Sequence, residues 1–339
     1  MTAPGEAVPG SGPARTADAL RSHPRPEDLR GTPLIIDTDI GGDADDALAA
    51  AARCTGDLKL VLTGDESRGQ RARFARHLLD LMGRSDVLTV AGAELAPTPY
   101  LVVEELIPPT VPAQGTDVVG AVLDVLAAVP GPVRWVGMAP LSNLARVVTE
   151  APEAATRLRV TQMGGALRYR NPESAEHNIR LDVTAAGRVL DAVAAGRLHT
   201  PGFVASEVTF TPQIEVTADT PLYAWLTASD APAWASLLCA HLDAWFSRFY
   251  PGSMQHDALT LSAALDLPFV DSDRIRIAMD DIGRTTASDD GAMLRWSVAA
   301  EYDAFMRWLT TTLTGQAASA LEHGQGSRGK RQSRTTSTY

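Results

Sequence analysis

The chain has 339 residues, 45% of them hydrophobic, which is enough for a sizeable core and suits a single large α/β domain. Its formal net charge of −11 argues against a nucleic-acid or anionic-membrane partner. No run is long and apolar enough to span a bilayer, and the Pro-, Gly- and Ala-rich start lacks the apolar segment of a secretory signal, so a cytoplasmic location is expected.

Residues 1–30 carry Pro, Gly, Ser and charge without periodicity and read as a disordered leader. Pro33 to Ile36 is a short β-branched run and predicts a buried strand. A helix over Ala47 to Arg53 follows, beginning near Asp45. Leu58 to Leu62 predicts a second strand, Gln70 to Met82 an amphipathic helix closed by Gly83, and Val87 to Ala91 a third strand. The spacing then predicts a helix over Thr116 to Ala128, a strand over Val133 to Val136, a helix over Asn143 to Val148 and a strand over Leu158 to Gln162. Residues 31–315 thus read as one α/β domain with an open, mostly parallel sheet flanked by helices on both faces. Ligands of such sheets bind beyond the carboxyl ends of the strands. Residues 316–339 end in Gly, Ser, Thr and Arg and read as a basic disordered tail. Cys54 and Cys239 sit in apolar, helical-looking stretches and read as buried thiols.

The first strand runs directly into Asp37, Asp39, Asp43, Asp45 and Asp46, five carboxylates in ten residues, with Gly41 and Gly42 between them. Like charges this close raise one another's pKa or demand a cation. Hard divalent cations take carboxylate, carbonyl and water oxygens, and glycines let the backbone turn so that separated carboxylates converge. An acidic N-cap cluster on a solvated loop is the plainer explanation, and the loop's place at the functional edge of the sheet counts against it. An EF-hand is excluded, because its twelfth position would be Leu48 where a bidentate Glu is required. A phosphatase of the haloacid dehalogenase type also opens with Asp-x-Asp after a strand. It needs a cation on the phospho-aspartate, and the only lysines are Lys59 and Lys330, so an arginine would have to substitute.

Asp37-Thr38-Asp39 followed by Asp45-Asp46-Ala47 resembles the signature of the inosine-uridine preferring nucleoside hydrolases. Four further segments are similar to that family's and stand in its order: Met138 to Ala145, Met163-Gly164-Gly165, Glu176-His177-Asn178 with Asp182, and His256-Asp257-Ala258. The resemblance implies the family's fold and a Ca2+ ion at the floor of the pocket, held by Asp39, Asp46, Asp257 and the Met138 carbonyl. It implies that Asp39 also takes a proton from a bound water and that Asp45, Glu176 and Asn178 hold the sugar hydroxyls. Asp37 would orient its neighbours, and His256 would protonate the leaving base. Of the run Trp245 to Tyr250, Trp245 and Phe249 are the expected base contacts, against a helix face simply packed in the core. Cys239 and His241, upstream on the same helix, read as packing.

Three departures from the family pattern stand out. Asp39 to Asp45 is two residues longer than the commonest spacing, so Asp43 is either an extra ligand or an outward bulge. Gly64-Asp65-Glu66 stands where the family usually has Gly-Asn, which makes Asp65 a candidate sugar contact. The segment Leu106 to Gly115 lacks a histidine expected to meet the base. Arg168, Tyr169, Arg170 and Arg180 are either surface residues paired with Glu173 or Asp182, or partners for an anionic group on the substrate. The expected activity is calcium-dependent hydrolysis of the N-glycosidic bond of a ribonucleoside to free base and ribose, by a homodimer or homotetramer. A metal-dependent phosphatase and a catalytically weak nucleoside-binding relative are the alternatives.

Overall fold

The computed structural model describes residues 31–44, 48–95 and 100–316. The proposed leader, nearly all of the proposed tail, and Asp45 and Asp46 lie outside them. A nine-stranded sheet, in the order β10-β9-β11-β6-β5-β4-β1-β2-β3, organises the fold. Strands β1 (Leu34–Thr38), β2 (Leu58–Thr63), β3 (Leu88–Ala91), β4 (Val133–Gly137), β5 (Leu158–Met163) and β6 (Gly202–Val204) run parallel to their neighbours. β11 (Ala292–Ala300) joins β6 in parallel and pairs antiparallel with β9 (Val270–Met279), which in turn pairs with β10 (Thr285–Ala287). The mostly parallel sheet matches expectation. The antiparallel edge is the part that the strand periodicity of the first half did not foretell.

Every residue of β1 is buried, as a strand covered on both faces requires. Leu34 and Ile36 enter one apolar layer and Ile35 the other, the alternation that a period of two imposes. The first layer takes in α1 (Leu48–Cys54), α2 (Gln70–Leu81), α3 (Ala233–Arg248), α4 (His256–Ala264) and α5 (Tyr302–Thr314), numbered here in chain order on that face. The second is covered by α6 (Val118–Ala127), α7 (Ser142–Glu150) and α8 (Val183–Ala194). No described helix is long and apolar enough to cross a membrane. The cysteine expectation is corrected: Cys54 ends α1 facing solvent, Cys239 is half-buried, and both thiols are free.

From β1 the chain winds outward through β2 and β3, then returns to place β4 on the other side of β1. The crevice between the carboxyl ends of β1 and β4 is therefore the topological switch point. Asn143, fully buried at the start of α7, ties this edge together. Its Nδ2 donates to Asp37 Oδ1 at 2.8 Å and to the Thr63 carbonyl at 3.0 Å, and its Oδ1 accepts from the Ala93 N–H at 3.0 Å. One side chain thus joins the ends of β1, β2 and β3. Replacing it leaves three buried polar groups without their partner. Asn143→Ala is expected to lower stability by about 2–4 kcal/mol, read from urea unfolding midpoints.

Candidate active site

A cavity of about 550 Å³ opens at that switch point. Asp39 and Asp43 reach it from the loop after β1, Met138 from the end of β4 and Met163 from the end of β5. Glu176, His177 and Asn178 enter from a short helical turn, and His256 and Asp257 from the first turn of α4. Trp245 and Phe249 close one wall, with ring centroids 4.9 Å apart, and Tyr100 packs against both. The fold thus gathers residues from seven separate stretches of chain around one space.

Four consecutive loop carbonyls after β1 are each capped by a donor from another element. Arg71 Nη1 donates to the Asp39 carbonyl and, at 3.1 Å, to that of Ile40. The Val102 N–H donates to the Gly41 carbonyl at 2.8 Å. His241 Nε2, meeting the Gly42 carbonyl at 3.1 Å, serves as the donor there. Gly41 makes this path possible: its φ of 101° suits glycine, and a Cβ would meet Val103 Cγ2 at 2.6 Å. With its carbonyls fixed from below, the loop holds Asp39 and Asp43 toward the cavity.

Arg71 is 1% exposed, and its remaining arms hold Asp65. Nε donates to the Asp65 carbonyl at 2.7 Å and Nη2 to Oδ2 at 3.2 Å. The expectation that Asp65 contacts substrate is therefore corrected: it is buried on Arg71 and does not line the cavity. Its backbone sits in the left-handed region at φ 44°, which Asn and Asp tolerate better than most residues. The segment after Leu106 is likewise absent from the cavity wall, because Arg73 on α2 ties it down through the Pro108 and Val111 carbonyls at 3.2 and 2.9 Å. His177 and Tyr100 supply the aromatic and imidazole surface there instead, in edge-on contact at 5.8 Å.

Burial dominates the electrostatics of the floor. It pushes Asp37 up to about 8, eased by the Asn143 bond and reinforced by the charge of Asp39. It pushes Asp43 up to about 7, eased by a bond with Ser253 and reinforced by Asp39 and Glu215. Asp39 is raised by burial too, with Arg71 opposing the shift. Glu176 is raised by burial, although its Oε2 accepts from the Gly165 and Ile179 N–H groups at 3.0 and 3.3 Å. Asp43 turns into the cavity rather than outward, with Oδ1 left without a hydrogen-bond partner. Asn178 Nδ2 donates to the Met138 carbonyl at 3.0 Å, while its own buried Oδ1 has no partner.

These donors suit a hard cation: carboxylates whose charge burial resists, a carbonyl with a second lone pair, and two orphaned oxygens. Among the described residues no three His, Cys, Asp or Glu side chains by themselves form a metal-holding group. Asp39, Asp257 and Met138 line the cavity, and Asp46 lies outside the described residues. His256 departs from its ordinary range. Burial, with Arg170 and His177 nearby, holds it down to about 4, so it is neutral at pH 7. Its ring lies near-parallel to Phe210 at 6.1 Å.

The model of the inosine-uridine preferring nucleoside hydrolase family matches residues 34–310. The chain belongs to this family. Solved nucleoside hydrolases share its fold. A plant enzyme, PpNRh1, is 21% identical with a TM-score of 0.69, over 84% of this chain and 100% of that one. A purine-preferring ribonucleoside hydrolase from Gardnerella vaginalis is 21% identical with a TM-score of 0.68, over 84% and 98%. An inosine-uridine preferring nucleoside hydrolase from Bacillus anthracis is 18% identical with a TM-score of 0.65, over 84% and 100%. No match is found among curated proteins. As a nucleoside hydrolase, the chain is an N-ribohydrolase acting on a small-molecule nucleoside. Among the described residues no lysine lines the cavity, and Lys59 bonds the Gly56 carbonyl at 2.9 Å on the surface; the cations in the wall are Arg170 and Arg180.

Two residues went unnoticed in the sequence for different reasons. Arg71 carried a signal: positions 71, 74, 75 and 78 share the buried face of α2, so a charge there had to be paired. Tyr100 carried none. Arg71→Met would leave the Asp65 carboxylate buried without its cation, and the expected cost is about 3–5 kcal/mol in urea unfolding. Adding Asp65→Asn is expected to recover about half of it.

His241 makes a prediction in pH. Burial holds it down to about 4, against which the Gly42 bond works and to which Arg71 adds. A depressed histidine contributes stability that is present above its unfolded value near 6.5 and lost as pH falls toward 4. Between pH 7 and 4.5 the native protein should lose about 2 kcal/mol more than His241→Gln, which keeps a donor but does not titrate. Urea unfolding of both proteins at the two pH values measures the difference.

Proposed function

We propose that this nucleoside hydrolase cleaves the N-glycosidic bond of a ribonucleoside with calcium as its cation, giving free base and ribose. The observation that carries this reading is the convergence of Asp39, Met138, Glu176, Asn178, His256 and Asp257 on one cavity. Asp39, Asp257, the Met138 carbonyl and Asp46 would hold the ion, with Asp43 an added oxygen. Bound there, calcium would fix the sugar hydroxyls and make a water more acidic.

The protein's own residues account for the rest. Asp39, at the cavity beside the place of the ion, is proposed to take the proton of the attacking water. Glu176 and Asn178 Oδ1 face the sugar hydroxyls, and Asp45 is proposed beside them. As the base leaves, positive charge spreads over the sugar, and the carboxylates of a floor shielded from water stabilise it. His256, neutral at rest and with an Nδ1 without a partner, would hydrogen-bond the leaving base through a ring N–H, and the base would take its full proton from water. Trp245 and Phe249 give that base an aromatic wall.

Asp65 belongs to the Arg71 pair, and the segment after Leu106 packs away from the cavity. The test is chromatography of purine and pyrimidine nucleosides incubated with the protein, with calcium or with chelator. Free base should appear with calcium and vanish with chelator. Asp39→Ala should lower kcat/KM by roughly 10³-fold or more while stability stays within about 1 kcal/mol. A folded Asp39→Ala protein of near wild-type activity would sink the assigned chemistry.

A further inference from the structure

The cavity has acids at its floor and arginines in its wall. Arg170 and Arg180 both line it. The chain carries 41 acidic against 30 basic residues, so carboxylates are not scarce. Arg71, Arg76, Arg84, Arg134, Arg146, Arg248 and Arg284 each make an ion pair. Among the described residues Arg170 and Arg180 make none, and the anticipated partners Glu173 and Asp182 are not on them; other arginines without an ion pair, such as Arg73 and Arg157, are spent on backbone carbonyls, whereas these two line the cavity.

Both guanidinium groups are nevertheless held. That of Arg170 lies over the Phe210 ring at 4.3 Å and the Tyr169 ring at 4.7 Å. The strand of chain leading to it is pinned by Glu207, whose carboxylate accepts from the Leu167 and Arg168 N–H groups at 2.6 and 3.1 Å. Arg180 Nη2 meets His177 Nδ1 at 3.1 Å. Stacking covers the face of the Arg170 guanidinium and leaves its N–H edge to an anion, while Arg180, which also donates to the Ala175 carbonyl at 3.4 Å and whose charge acts on Glu176, keeps further N–H groups for one. A neutral nucleoside gives those edges nothing stronger than water does. Phosphate or carboxylate gives them paired, charge-assisted bonds.

We propose that the preferred substrate is an anionic nucleoside, with a phosphate on its sugar or a carboxylate on its base bound by Arg170 and Arg180. This rests on the hydrolase reading above. The experiment compares uridine, uridine 5′-monophosphate and orotidine, in kcat/KM and in calorimetric affinity, on the calcium-loaded protein. One anionic compound should exceed uridine by at least tenfold in kcat/KM, and which one identifies where the anion sits. Arg170→Gln and Arg180→Gln should each cut that ratio at least fivefold, with thermal unfolding unchanged because both side chains are exposed. Cleavage of uridine as fast as both anionic compounds overturns the anion site and leaves the hydrolase standing. No cleavage, with an anionic compound bound at least tenfold more tightly than uridine and the preference lost in the arginine variants, upholds the anion site and leaves the hydrolase reading to the nucleoside panel above. No difference in affinity among the three, with or without cleavage, overturns the anion site.

Discussion

The site depends on holding several carboxylates at the carboxyl end of a buried central strand. Asp37 lies inside the sheet edge, with Asp39 and Asp43 just beyond it, and burial raises all three above the range of a solvated carboxylate. Left to itself, such a loop would swing its charges into water. The fold prevents this by fixing the backbone, and burial holds the acids toward their neutral form until a cation offsets its cost. Arg71, Val102 and His241 cap the successive carbonyls of Asp39 to Gly42, and Asn143 holds Asp37. The charges are kept poised, which is the condition under which a cation or a developing sugar cation gains most from them.

Arg71 has a double part in this arrangement. It is a cation close enough to Asp39 to oppose the effect of burial, yet its hydrogen bonds go to the loop backbone and to Asp65. The Asp65 carboxylate makes a fully buried guanidinium tolerable, since an unpaired one would cost several kcal/mol. A departure from the family pattern that looked like a change of specificity is thus part of the support under the loop after β1. The cavity wall itself is formed by Tyr100, His177, Phe210, Arg170 and Arg180 among others.

The residues of the site differ in how far a sequence can announce them. Asp39, Met138, Glu176, Asn178, His256 and Asp257 belong to short segments at strand ends or helix starts, and the cavity brings them together. Asp65 was misplaced because a residue beside a strand end can turn to either side, and only the neighbour Arg71 decided which. His256 was taken at its ordinary pKa because sequence carries no measure of burial. Tyr100 enters from an irregular stretch with no period to mark it.

The sequence alone determined the parallel core of the fold, because β-branched runs and helical periods are local patterns. It also determined the chemical character of the site, because five aspartates within ten residues after a strand are a local fact. Tertiary structure decided which way each charge faces. Arg71 and Ile40, His241 and Gly42, and Asn143 and Asp37 meet across 31, 199 and 106 residues of chain. The antiparallel edge of the sheet and the pairing state of Arg170 and Arg180 were settled in the same way. Long-range partners and burial set these outcomes, and neither is a property of any one segment.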